Sequence, residues 1–364
     1  MNGGLQLPAN ARICLLRLSA LGDVTHMLPV VHALRAARPE WHLTWIIGRL
    51  EHALVGDLTG VEFVVFDKRQ GWRAYRQLAH ELRGQRFDAL LQMQVALRAS
   101  VAGRMVRARH RIGFDRARSR DGHGLFINRH IAPHAQPHVL DGFVDFLTAL
   151  DIPVPKLCWD LPIPDDARAF ADEHLATASP VLAINPCTSA RLMNWRNWSA
   201  ERYAAVVDHA ARAHGLGTVL TGGPAAAERD MAEAITRHAD TDVINLVGQT
   251  SPKQLAAVLA HAQAVIAPDT GPAHIANAVG TPVIGLYATS NPERTGPYRW
   301  REWCVNRYPE ALQEETGLTP AQARWGRRVR NPEAMARITV TDVTNRLDEL
   351  MDGLAKGSVA TGKP

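Results

Sequence analysis

The fold of this chain is decided by residues 265–287, which read VIAPDTGPAHIANAVGTPVIGLY. An apolar run ends in Pro-Asp-Thr-Gly-Pro, a helical pattern follows as far as Val279, and a second apolar run begins after Pro282. The order is therefore strand, polar turn, helix, strand. This order predicts a βαβ unit whose chemistry lies at the turn.

The turn of this unit has the composition of an anion site. Thr270 or Asp269 can cap the helix, and Gly271 lets a ligand approach the backbone amides closely. Unsatisfied N–H groups and the helix dipole at such an end attract phosphate. A helix that is merely well capped would explain the same residues. The additional polar side chain of His274 within two helical turns favours a ligand site.

Strand and helix patterns alternate along the whole chain. Apolar strand patterns in the first half occur at residues 12–18, 42–47, 62–66, 88–92 and 111–114, and those of the second half at 181–184, 218–221, 243–246 and in the unit quoted above. Such alternation is typical of parallel sheets covered by helices on both faces. We expect Pro29 to kink the first helix or to separate its first turns.

Four prolines between residues 151 and 164 mark a linker between the two halves. The sequence thus predicts an α/β protein with two doubly wound domains. In this class of fold the ligand binds at the carboxyl ends of the strands, so we expect the functional cleft between the two domains.

Length and composition are those of a globular protein. The chain has 364 residues, of which 46% are hydrophobic and 21% charged, enough for two ordinary domains. Residues 1–11 lack a signal-peptide pattern and no stretch is apolar enough to span a bilayer, so we expect a cytoplasmic protein. The four cysteines form no Cys-x-x-Cys pair, which predicts buried free thiols rather than disulfides or a zinc site.

The net charge of +5 is concentrated in an arginine-rich segment, residues 104–120. Its arginines are Arg104, Arg107, Arg109, Arg111, Arg116, Arg118 and Arg120. Such a cluster indicates an anionic partner, which is a nucleic acid, a membrane surface, or a substrate with phosphate or carboxylate groups. A solvated basic surface without a partner remains the alternative.

Four strand-to-helix turns carry unusual polar residues, at 19–23, 187–198, 222–228 and 269–274. In a parallel sheet all such turns open on the same edge. The chain has neither the Gly-x-Gly-x-x-Gly of a nicotinamide dehydrogenase after its first strand nor the Gly-Lys-Ser/Thr of a P-loop. A diphosphate ligand is favoured because four side chains suited to it belong to the second turn: Thr188, Ser189, Arg191 and Arg196.

Two single residues allow two interpretations each. Asp23 is either the N-terminal cap of the first helix or a general base facing the cleft, and its spacing alone favours the cap. His274 is either a phosphate ligand or a histidine on the inner face of its helix. Residue spacing does not decide between these alternatives.

Three motifs resemble those of a known family. Residues 18–29 (LSALGDVTHMLP), 269–275 (DTGPAHI) and 287–292 (YATSNP) are similar to the family 9 glycosyltransferases, the ADP-heptose:lipopolysaccharide heptosyltransferases. The similarity runs in collinear order from about residue 12 to residue 298. Residues 113–129 resemble the acceptor-side loop of the heptosyltransferase I branch.

The resemblance implies a GT-B fold, in which two Rossmann-like domains face a central cleft. Residues 1–158 would form the acceptor-binding domain and residues 159–340 the nucleotide-sugar domain. Residues 341–364 would comprise a last helix that packs back on the first domain, followed by a disordered tail.

The resemblance also assigns roles to residues. It makes Asp23 the general base, which reverses the capping interpretation. The donor side would comprise Thr188, Ser189, Arg191, Arg196, Glu228, Asp269, Thr270, Gly271 and His274. The acceptor side would comprise Ser19, Gly22, Arg116, Arg118 and Arg120. The heptosyltransferase I branch commonly has lysine at the position of Arg196, so Arg191 and Arg196 remain alternatives for binding the diphosphate.

The implied reaction is an inverting transfer of heptose from ADP-heptose to Kdo of the lipopolysaccharide inner core, without a metal or a cofactor. The acceptor, Kdo-lipid A, would be met at the inner leaflet of the cytoplasmic membrane by a peripherally bound enzyme. No nucleic-acid partner is expected. The alternatives are another acceptor (the heptose II or III type), another nucleotide sugar, or a non-catalytic sugar-nucleotide-binding protein.

Overall fold

The computed structural model describes residues 4–154, 156–176, 180–188 and 195–359. The chain divides into two compact units, Met1–Pro162 and Ile163–Pro364. The boundary predicted from the sequence, at residue 158, lies within the same proline-containing linker. Each unit contains one six-stranded sheet.

The first unit is an open parallel sheet with strand order β3-β2-β1-β4-β5-β6. Its strands are β1 (Arg12–Leu16), β2 (His42–Gly48), β3 (Val61–Phe66), β4 (Phe87–Gln92), β5 (Ala108–Gly113) and β6 (Arg129–His130). Its helices are α1 (Leu21–Ala37), α2 (Arg49–Val55), α3 (Trp72–Glu81), α4 (Leu97–Arg104) and α5 (Val139–Ala149). Every pair of neighbouring strands is parallel. The central strand β1 is apolar on both faces because helices cover both, and residues 13–16 are completely buried.

The second unit repeats this plan with strand order β12-β11-β10-β7-β8-β9. Its strands are β7 (Val181–Ile184), β8 (Gly217–Leu220), β9 (Val243–Asn245), β10 (Ala264–Pro268), β11 (Val283–Tyr287) and β12 (Val305–Asn306). Its helices are α6 (Asp165–Leu175), α7 (Ala200–His214), α8 (Ala226–His238), α9 (Pro252–His261), α10 (Gly271–Ala278), α11 (Pro292–Thr295), α12 (Tyr308–Thr316) and α13 (Val340–Ala355). All its strands are parallel as well. The expected α/β class with two doubly wound sheets is confirmed.

The first helix is continuous and is not divided at its proline. Helix α1 is one element from Leu21 to Ala37, with Pro29 inside it. A proline removes one hydrogen-bond donor from the helix interior. The helix is nevertheless continuous, and Pro29 lies within a buried stretch, residues 24–31.

Helix α13 completes the core of the second unit. Its residues Val343, Leu347 and Leu350 are completely buried and belong to that unit's main apolar cluster. Asp348 accepts hydrogen bonds from two histidines of α7, at 2.7 Å from His209 Nε2 and 2.6 Å from His214 Nε2. The apolar face of this helix therefore lies in the second unit, and its packing on the first domain stays a prediction.

The cysteines follow the expectation at three positions. Cys14, Cys187 and Cys304 are buried and free, while Cys158 is exposed. Burial raises the pKa of the Cys187 thiol to about 12, and the negative charge of Glu228 adds to this effect. In the described part of the chain, no helix is both long enough and apolar enough to cross a bilayer.

Candidate active site

In the first unit, Asp23 lies in the first turn of α1, immediately after the loop that follows β1. Its Oδ2 accepts a hydrogen bond from the backbone N–H of Ala20 at 3.1 Å, as in a capping box. The same oxygen forms an ion pair with the guanidinium of Arg17. The carboxylate is nevertheless 30% exposed. Asp23 therefore supports the helix and still presents a carboxylate to a ligand, so the two interpretations of the sequence are compatible.

Arg17 was not predicted as a site residue. Its Nη1 donates to the carbonyl of Met93 at 2.6 Å, and its guanidinium lies over the ring of Phe143, 5.1 Å from the centroid. These contacts fix the guanidinium that faces Asp23. Its position could have indicated a site residue. Arg17 directly follows β1, and because β1 and β4 are parallel neighbours, the end of β1 lies beside the loop after β4.

Gln94, in the loop after β4, fixes the loop before α1. Its Oε1 accepts from the N–H of Leu18 at 2.8 Å, and its Nε2 donates to Ser19 Oγ at 3.4 Å. Ser19 and Gly22, both predicted as acceptor-side residues, thus belong to the same loop and helix start as Asp23.

A second carboxyl group lies close to Asp23. Glu51 of α2 is buried, and this burial raises its pKa. The positive charges of Lys68 and Arg17 act in the opposite direction, and the negative charge of Asp23 raises the pKa further. Burial and the negative charge of the candidate base thus both raise the pKa of Glu51.

The three predicted acceptor-side arginines have different environments. Arg116 and Arg120 are exposed. The guanidinium of Arg118 instead donates hydrogen bonds to the carboxylates of Asp115 and Asp145 and to the carbonyl of Ala132. The guanidinium of Arg118 is thus engaged within the unit while Arg116 and Arg120 are exposed, and the acceptor role of all three arginines stays a prediction.

In the second unit, the turn after β10 has the predicted form. Thr270 is the N-cap residue of α10, and Pro272 lies in the first turn. In the part of the chain that the structure describes, the Thr270 side chain makes no capping hydrogen bond. The first amides of a helix lack partners within the helix, so this end is suited to an anion. Asp269 and His274 are both 8% exposed and flank this end in sequence.

Arg196 lies beside this helix end. Its Nη1 donates to the carbonyl oxygen of Asp269 at 2.8 Å and is 3.7 Å from Asp269 Oδ2. Arg191 and Ser189, the other predicted residues of this loop, lie outside the described residues. A hydrogen bond links two residues of this loop: the N–H of Thr188 donates to Asn197 Oδ1 at 3.0 Å.

Glu228 closes the turn after β8. Its Oε2 accepts from the N–H of Gly223 at 2.6 Å. Strands β8, β7 and β10 are neighbours in the sheet, so the turns with Glu228, Thr188 and Asp269 share one edge. The structure therefore brings the described donor-side residues to a single sheet edge.

A second cation at this edge was missed. Arg328 Nη2 lies 3.9 Å from Asp269 Oδ2, in a stretch with four arginines at 324, 327, 328 and 330. The high density of arginines in this stretch could have indicated a cation near the site.

An Asp-x-Asp sequence, which offers two carboxylates to a cation, occurs at residues 240–242. It directly precedes β9, and the N–H groups of Asp240 and Thr241 donate to Asp208 Oδ1 at 2.9 and 3.0 Å. In a parallel sheet the start of a strand lies on the edge opposite to its end. These carboxylates therefore lie on the opposite edge from the turn of Asp269.

Comparison with known proteins identifies the family. The model of "Glycosyltransferase family 9 (heptosyltransferase)" matches residues 75–319. The chain belongs to glycosyltransferase family 9. Among curated relatives, this family 9 enzyme is 38% identical to the lipopolysaccharide core heptosyltransferase OpsX of Haemophilus influenzae, over 93% of this chain and 96% of that protein. It is 28% identical to lipopolysaccharide heptosyltransferase 1 of Pseudomonas aeruginosa, over 79% of this chain and 81% of that protein.

Solved structures confirm the GT-B fold of the enzyme. A family 9 glycosyltransferase from Veillonella parvula matches with a TM-score of 0.76 and 22% identity, covering 94% of this chain and 97% of that one. The E. coli heptosyltransferase WaaC with ADP matches with a TM-score of 0.70 and 20% identity, covering 93% and 99%. At these identities the likeness establishes the fold alone.

Proposed function

We propose that this family 9 enzyme transfers heptose from ADP-heptose to Kdo of the lipopolysaccharide inner core, with inversion and without a metal. The observation that carries the donor part is the start of α10, where Arg196 lies against Asp269 beside helix amides suited to phosphate. The printed names of the relatives, which are lipopolysaccharide heptosyltransferases, support the heptose and the class of acceptor.

In the proposed mechanism, Asp23 removes the proton of the acceptor hydroxyl as this oxygen attacks the anomeric carbon of the heptose. The bond from that carbon to the β-phosphate oxygen breaks, and its electron pair leaves with ADP. One displacement inverts the anomeric configuration. Negative charge grows on the departing diphosphate, where Arg196 and the α10 amides stabilise it.

The acceptor proposal draws on the first unit. Kdo carries a carboxylate and lipid A carries phosphates, and the exposed Arg116 and Arg120 provide complementary charge. We therefore place Ser19, Gly22 and these two arginines on the acceptor side.

Peripheral contact with the cytoplasmic face of an anionic membrane is part of the same proposal. Large apolar side chains are exposed in the connections that follow four parallel strands, β2 to β5. Leu50, Trp72 and Leu97 follow the ends of β2, β3 and β4, and Leu125 lies further along its connection, close to β6. Carboxyl ends of parallel strands share an edge, and strands lie about 4.8 Å apart. Exposed apolar side chains together with arginines suit the interface of an anionic bilayer.

The deciding experiment measures ADP release from ADP-heptose with and without Kdo-lipid A. We expect release that depends on the acceptor, and a product heavier by one heptose. ADP-heptose binding without transfer would retain the donor and reject the Kdo acceptor. Failure to bind ADP-heptose would reject the donor, and UDP-, GDP- and CDP-sugars would be tested next.

A second candidate is transfer to a heptose already present in the core. The chain is also 23% identical to a lipopolysaccharide heptosyltransferase 3 of Escherichia coli over 93% of its length. The assay separates the two candidates when Kdo-lipid A and its heptosylated form are offered in parallel, because only one of them would increase ADP release.

A further inference from the structure

The segment 324–330 of the second unit is rich in arginine and is not part of any motif of the family resemblance. Four of its seven residues are arginines, and it follows α12. Such a density of positive charge suggests an anionic ligand, but only if the segment is held in place near a site.

The segment is firmly attached to the rest of the unit. Val329 is buried, and its N–H donates to the carbonyl of Thr289 at 3.0 Å, just after β11. Tyr308 Oη donates to the carbonyl of Arg327 at 2.9 Å. The backbone of the segment is therefore fixed on both sides of Arg328.

Glu315 accepts hydrogen bonds from two of the neighbouring arginines. Its Oε1 accepts from Arg327 Nη2 at 3.2 Å, and its Oε2 accepts from the backbone N–H of Arg330 at 2.5 Å. Arg328 is not engaged by this carboxylate and instead extends towards Asp269, with its side chain 48% exposed.

Two guanidinium groups thus approach one buried carboxylate. Asp269 Oδ2 is 3.7 Å from Arg196 Nη1 and 3.9 Å from Arg328 Nη2, both beyond hydrogen-bond distance. Among the described residues, this oxygen has no hydrogen-bond partner although it is buried. Two guanidinium groups and one carboxylate therefore meet beside the start of α10.

We propose that Arg328 is a second cation of the donor site, which binds the diphosphate of the nucleotide opposite Arg196. This inference rests on the proposed function, because it assumes a nucleoside diphosphate at the start of α10. Asp269 holds the two guanidinium groups apart and oriented before the ligand arrives. The fork of each guanidinium then matches phosphate oxygens, which a single backbone site cannot neutralise alone.

The test compares the wild-type enzyme with Arg328→Gln, Arg328→Lys and the control Arg324→Gln, which removes an exposed arginine of the same segment. Calorimetry gives the Kd of ADP and of inorganic pyrophosphate, and the melting temperature checks that each variant is folded. We expect Arg328→Gln to raise both Kd values about tenfold, Arg328→Lys to restore part of the affinity, and Arg324→Gln to change neither.

Equal effects of Arg328→Gln and Arg324→Gln on ADP would overturn the inference, because they would indicate only a general loss of positive charge. An effect on ADP without an effect on pyrophosphate would overturn it as well, since the contact would then involve the nucleoside. If the wild-type enzyme bound neither ligand, the proposed function itself would fail. Normal ADP binding by Arg328→Gln, with ADP binding by the wild type, would instead overturn only the inference about Arg328.

Discussion

The carboxylate of Asp23 is paired with the guanidinium of Arg17 and accepts a hydrogen bond from the backbone N–H of Ala20. Replacement of a residue that supports a helix start usually lowers the stability of the protein, whereas replacement of a catalytic base lowers the reaction rate. Asparagine separates the two roles because its carbonyl oxygen still accepts the Ala20 N–H but no longer acts as a base.

We expect Asp23→Asn to reduce kcat by about 10²- to 10⁴-fold while the Kd of ADP stays within about twofold. Its melting temperature should remain close to that of the wild type, whereas Asp23→Ala should lower stability by about 1 kcal/mol. Acceptor-dependent ADP release measures the rate. Near-normal turnover of Asp23→Asn would leave Asp23 as a helix cap only.

Arg17 is expected to act through Asp23. Arg17→Met removes the guanidinium that faces the carboxylate while it keeps an apolar stem against Phe143. A misplaced reacting group costs up to about 10²-fold in rate, so we expect a fall in kcat of this order with little change in the KM for ADP-heptose. In the double variant with Asp23→Asn, Arg17→Met should cause no further loss. Additive losses would show that Arg17 acts independently.

Arg196 and Arg191 compete for the diphosphate role, and the contact of Arg196 with the carbonyl of Asp269 favours Arg196. Loss of a charge-assisted hydrogen bond costs about 1.5 to 3 kcal/mol, so Arg196→Ala should raise the Kd of ADP by at least about tenfold. Arg191→Ala serves as the matched control and should bind ADP normally. The reverse pattern would assign the diphosphate to Arg191.

Membrane contact through the exposed edge of the first unit is tested with vesicles. Trp72 and Leu125 are 75% and 86% exposed. Replacement of both by serine should reduce sedimentation with vesicles of anionic lipids severalfold, while the Kd of ADP stays unchanged. Leu318, 40% exposed in the second unit, offers the control Leu318→Ser. Equal vesicle binding by both variants and the wild type would exclude this edge as the contact.

The stability of the first unit should depend on pH through His123. This side chain is 1% exposed, and burial lowers its pKa to about 4, with a smaller effect from the charge of His130. Its Nε2 accepts from the N–H of Phe114 at 3.3 Å, which requires a ring without a proton at this nitrogen. In the unfolded chain the pKa is about 6.5, so the unfolded state takes up the proton first as the pH falls.

The contribution of the neutral His123 is therefore complete above about pH 6.5 and is lost between pH 6.5 and 4, by about 3 kcal/mol in total. Urea unfolding of the wild type at pH 7 and pH 4.5 measures the loss. His123→Gln should show a smaller loss over this range, and the exposed control His80→Gln should behave as the wild type does. An unchanged pH dependence in His123→Gln would assign it to other groups.

Sequence periodicity predicts the sheets well because their central strands are buried on both faces. Strand β7 begins and ends at the predicted residues, 181 and 184. The short elements β12, α11 and α12 were missed, since two- to nine-residue stretches with mixed polarity carry no clear period. Helix α6 was missed because the proline-rich linker before it hides its start at Asp165.

The motifs identified the residues of the candidate site but not the contacts among them. Asp23, Asp269 and Thr270 were found because each lies in a turn of distinct composition. Arg17, Gln94 and Arg328 reach those turns from other elements, and their side chains are placed by the sheet order and by tertiary contacts. Such relationships do not appear in any local pattern of the sequence.

The position of α13 in the core of the second unit has a consequence for the order of folding during synthesis. The first unit has all its elements once residue 162 has left the ribosome. The second cannot close its core before Leu347 and Leu350 have emerged. At usual translation rates the interval is about 10 to 40 seconds, so the first unit folds well before the second. During this interval the strands of the second sheet expose apolar faces, which makes them natural clients of ribosome-associated chaperones.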